Sequence, residues 1–68
     1  MDEFVRALRG DVESAHEKLI AAREAGHNYE VHLHVARIKD LLELAERHNV
    51  DTASWIDPSE LTSAIDGD

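Results

Sequence analysis

The stretch YEVHLHVARIKDLLELAERH, Tyr29 to His48, decides the fold, because it carries two apolar seams where a helix packed on one neighbour needs only one. Successive side chains lie about 100° apart around a helix, so Val31, Val35, Ile38, Leu42 and Ala45 share one stripe. Leu33, Leu41 and Leu44, with the imidazoles of His34 and His48, widen that stripe into an arc of roughly 200°. Such a helix has to be covered from two sides. The reading therefore predicts a chain that completes its core with a second copy, with its own tail, or with a partner protein.

Upstream, Met1, Val5, Leu8, Val12, Ala15, Leu19 and Ala22 alternate at spacings of four and three, an unbroken heptad with Phe4 beside it. This predicts a first helix from about residue 2 to residue 25 with a narrow contact stripe. Gly10 falls on the opposite, solvent-facing side, where it weakens the helix by about 1 kcal/mol relative to alanine. Between the helices stand Gly26, His27 and Asn28. Gly26 suits a left-handed helix end, Asn28 suits the cap of the next helix, and so short a link permits only antiparallel return. The expected second helix covers about residues 29 to 48, closed by Asn49 in a left-handed conformation with Val50 folding back.

Beyond Val50, Asp57-Pro58-Ser59-Glu60 reads as a helix start: aspartate at the cap, proline in the first turn, and Glu60 placed for a capping-box contact. The third helix should run from about 58 to 65, with Trp55, Ile56, Leu61 and Ile65 as its contact surface. Eight residues are not stable as an isolated helix in water. The tail Asp66-Gly67-Asp68 is expected to fray.

Sixty-eight residues form one small domain, residues 1–68, divided here into a hairpin (1–50) and an acidic C-terminal segment (51–68). At this size a single core is marginal, and without cysteine neither disulfides nor thiolate metal sites can support it. Oligomerisation is the expected support. Fifteen acids against seven bases give a net charge of −8, with five acids and no base after residue 48. Such a balance repels phosphate backbones and anionic bilayers, so direct nucleic-acid and membrane binding are not expected. The start lacks the features of a signal peptide, and no apolar run reaches the length of a membrane span, which points to a cytoplasmic protein.

The five histidines are the residues that invite chemistry. His16-Glu17-Lys18-Leu19-Ile20 begins like HExxH, but Ile20 stands where the second histidine must be. His16, His27 and His32 read as edge or surface residues without a specific role. His34 and His48 lie on the second seam, seven residues either side of Leu41. An antiparallel pair of second helices with Leu41 on the axis would bring His34 near His48 of the other chain. That arrangement could titrate near neutral pH or hold a metal; otherwise both are seam-edge residues with ordinary hydrogen bonds. No cofactor or metal is called for.

Catalysis is not expected either. Glu13 and Glu17, or Glu43 and Glu46, fall on outer faces beside Arg9, Lys39 and Arg47, and Ser14, Ser54, Ser59 and Ser63 have no neighbouring base in a nucleophile motif. Trp55 is either a plug on the chain's own core or an anchor on another subunit. Asp51, Asp57 and Glu60 read as caps and first-turn carboxylates, or else as a patch for a basic surface.

These features imply an all-α hairpin with a short third helix, assembled into a dimeric four-helix core. Leu33, His34, Leu41, Leu44, His48 and Trp55 are the expected interface. The implied function is a noncatalytic protein-interaction or regulatory module that works as a homodimer, with another protein as the further candidate partner. The alternative is an acidic inhibitor that mimics nucleic acid on a basic site. A single chain whose third helix covers the second seam is the remaining architecture.

Overall fold

The computed structural model describes the backbone of residues 2–65 and the side chains of residues 2–61. Met1, Asp66, Gly67, Asp68 and the side chain of Ile65, all assigned above, lie outside the described residues. Three helices follow one another: α1 (Glu3–Ala25), α2 (Asn28–Arg47) and α3 (Pro58–Ile65). No strand occurs among the described residues.

Each boundary has a local chemical cause. Asp2 caps α1 by accepting from the backbone N–H of Phe4 at 3.0 Å. At the other end Gly26 takes φ 74°, in the left-handed region where a side chain is strained. The amides of His27 and Gly26 then close onto the carbonyls of Ala22 and Arg23, a Schellman motif. Helix α2 ends the same way. Asn49 adopts φ 60°, its amide reaches Glu46, and that of Val50 reaches Ala45. Asp57 opens α3 by accepting from Ser59 N–H at 3.0 Å.

Two local expectations are corrected. Asn28 does not cap α2; it is the first helical residue, and His27 occupies the cap position without a side-chain hydrogen bond. The Schellman turn already consumes Gly26 and His27, so the chain re-enters helix one residue sooner. Glu60 does not fold back to cap α3, because its carboxylate is engaged by α1.

The heptad of α1 is the core stripe: Leu8, Val12, Ala15, Leu19 and Ala22 are buried against Val31, Val35, Ile38, Leu41 and Ala45 of α2. Val12, Leu19, Ile38 and Ala45 are fully enclosed. Ile56 and Leu61 of the C-terminal segment join the same cluster, with Leu42, Leu44, Val50 and Trp55 packed partly against it. The buried stripe of α2 differs from expectation by one residue: Leu41 is buried and Leu42 is half-buried. From Ile38 these two lie about 60° to one side and about 40° to the other, so a small rotation of the helix decides between them. On the Leu41 side, the Phe4 ring of α1 packs on His48 at 4.7 Å between centroids.

The result is a rod, 38 Å long and 17 × 16 Å across. A cross-section of that size holds packed helices but no deep cavity. No helix among the described residues is long and apolar enough to cross a membrane.

Candidate functional site

The C-terminal segment takes one flank of the hairpin and leaves the other open. Glu60 of α3 meets α1 at two side chains seven residues apart. Its Oε1 accepts from Arg23 Nη1 at 2.8 Å and lies 3.4 Å from His16 Nε2, while Arg23 Nη2 donates to the Glu60 backbone carbonyl. The hydrogen bond from Arg23, then that from His16, hold the Glu60 carboxyl below the ordinary glutamate range, opposed by partial desolvation. This triad clamps a helix too short to persist alone. His16 was expected to have no specific role. Two cationic-capable residues on one flank of the first helix, facing an acidic tail, were the available signal.

Lys18 and Ala25 sit about 200° around α1 from His16 and Arg23, so they mark the opposite flank. There a shallow groove of about 400 Å³ runs between Ala21, Ala22 and Ala25 of α1 and Glu30 and His34 of α2. A smaller recess of about 190 Å³ continues it between Asp11, Lys18, His34 and Arg37. Both open to solvent. Ser14 and His34 both line the smaller recess, and neither side chain makes a hydrogen bond among the described residues.

The expected interface residues fall into three environments. Leu41 is 5% exposed and belongs to the core of its own chain. His34, Leu44 and Trp55 are half-buried, while His48 is exposed and its ring lies tilted against that of Phe4. Leu33 is 49% exposed, on the outward side of α2. Within one chain His34 and His48 stand about 21 Å apart along the helix and do not meet. Among the described residues no group of three or more histidine, aspartate or glutamate side chains is placed to hold a metal ion.

The remaining charges are local. Arg9 pairs with Glu13 at 3.2 Å and Arg47 with Glu43 at 3.7 Å, both exposed at helix-neighbour spacing, and His27 lies 3.6 Å from Glu30. Asp51 accepts from Ala53 N–H as Asp57 does from Ser59 N–H, so two acids of the C-terminal segment have backbone partners. Arg37 and Asp40 are exposed, and neither makes an ion pair or side-chain hydrogen bond among the described residues. Comparison with protein-family models, with curated proteins and with solved structures gives no match.

Proposed function

We propose that this chain is a noncatalytic protein-interaction or regulatory module that works as a homodimer through the outward side of α2. The observation that carries the proposal is Leu33. It remains 49% exposed after the chain has folded its own C-terminal segment onto the core, and Leu44, three turns further on, is short of full burial. Leu41 is already buried at 5%, so a second chain would gain little by covering it. The contact surface therefore shifts outward, from Leu41 to the Leu33–Leu44 side of the helix.

Half-exposed leucines are common on small proteins, and one alone decides nothing. Two-fold symmetry changes the weight, because every residue of such a contact counts twice. Removing the remaining exposed surface of Leu33 contributes about 1 kcal/mol per copy, a modest increment that suits a reversible dimer. Sedimentation equilibrium of the full chain should give a monomer–dimer equilibrium. Leu33→Asp should shift it to monomer with helix content unchanged, since the side chain is outside the core. A native chain that sediments as one copy at millimolar concentration would end this reading.

A further inference from the structure

We infer that two copies of α2 pack antiparallel about an axis between Ile38 and Lys39, in a register written into the helix as a charge palindrome. The inference rests on the self-association proposed above and names its geometry. Glu30, Leu33, Arg37, Asp40, Leu44 and Arg47 follow one another at spacings of three, four, three, four and three. That spacing keeps all six on one outward stripe of the helix. Read in the opposite direction, the stripe meets its own complement. Glu30 faces Arg47 of the second chain, Leu33 faces Leu44, and Arg37 faces Asp40. The two-fold axis repeats each pair, so all six contacts are apolar–apolar or opposite in charge.

The structure supplies the conditions this register needs. Arg37 and Asp40, which would meet at the centre, are exposed and have no ion-pair partner among the described residues of their own chain, although they stand three apart on a helix where pairing is possible. Leu33 is 49% exposed and Leu44 only half-buried, so both can bury more surface. Glu30 and Arg47 hold exposed local partners, His27 at 3.6 Å and Glu43 at 3.7 Å, which a second chain can displace at little cost. The clamp of α3 on His16 and Arg23 lies on the other flank of α1, and five of the six stripe residues, all but Leu44, are exposed. A parallel pairing would set Arg37 on Arg37 and Asp40 on Asp40, which like charges oppose. A register with Leu41 on the axis would centre the contact on a residue that is 5% exposed.

Charge exchange tests the register. Arg37→Asp alone turns two attractive pairs into two repulsive ones and should weaken the dimer on the order of thirtyfold in Kd. Asp40→Arg alone should do the same, and the double variant should return to the native Kd. Mixing the two single variants should yield a heterodimer tighter than either homodimer. As a second readout, the chain has no native cysteine, so Leu33→Cys and Leu44→Cys can be placed singly. Mixed under mild oxidation they should form a disulfide-linked heterodimer, because only that pair lies within the roughly 7 Å Cα separation a disulfide spans. Each alone should stay unlinked. A dimer whose single charge variants keep native affinity, or in which Leu33→Cys links to itself, overturns the register while leaving self-association standing. A native chain that stays monomeric overturns both.

Discussion

Gly10→Ala is the substitution whose effect follows most directly from the geometry. Gly10 is the eighth residue of the 23-residue α1 and is exposed. A β-carbon built there meets no atom within 4 Å. Its backbone φ is not positive, so alanine enters without strain. The full difference in helix propensity is then available, about 1 kcal/mol in favour of alanine, part of it from the reduced freedom of the unfolded chain. In a domain of this size that gain raises Tm by about 4 to 8 °C. Thermal melts followed by circular dichroism, repeated across a range of protein concentration, measure it. Because the proposed self-association runs through α2, the gain should be the same at every concentration. A destabilised variant would mean that position 10 is not open helix surface. A gain that disappears as the protein is concentrated would place a second chain against α1 and refute the assignment to α2.

Gly26→Ala should have the opposite sign. A β-carbon there also meets nothing within 4 Å, but φ is 74°, so the cost is purely conformational, about 1 to 2 kcal/mol, read as a lower urea midpoint with an unchanged m-value. Glu60→Gln should release part of the hold of α1 on α3 and flatten the acid limb of stability. The folded-state pKa of Glu60 is lowered, so its contribution is complete above the unfolded value of about 4.3 and is lost as pH falls through the folded value. The gap in urea midpoint between native chain and variant should hold near pH 5 and close on acidification below about pH 4.3. A gap that widens there would contradict the Arg23–Glu60 assignment.

What the sequence reveals divides by the distance over which each feature acts. The heptad of α1 and the stops at Gly26 and Asn49 are local: each depends on neighbours within one or two turns, and each helix boundary falls within a residue of its expected place. The cap of α2 was misplaced because His27 and Asn28 compete for one position, and the Schellman turn before them settles it. The clamp of Glu60 on Arg23 and His16 joins residues 37 and 44 apart. No periodicity encodes such a contact, and local chemistry suggested a cap instead. The wide arc of α2 revealed how much surface needed covering but not which side each neighbour would take. Leu41 and Leu42 flank the axis almost evenly, and packing places Leu41 inside. The outward stripe could be recognised as a surface only after that rotation was known. Its charge order had been in the sequence throughout.

The proposed antiparallel pairing of two α2 helices sets Leu33 of one chain against Leu44 of the other. Within a chain these side chains are eleven residues apart on one helix, about 16 Å, beyond the reach of a methyl–methyl nuclear Overhauser effect. The antiparallel pair should give a cross-peak between the Leu33 and Leu44 methyl groups that fades on dilution. Its absence from a sample in which the chain is demonstrably dimeric, or a cross-peak from Leu33 to Leu33 of the second chain in isotopically mixed protein, would contradict it.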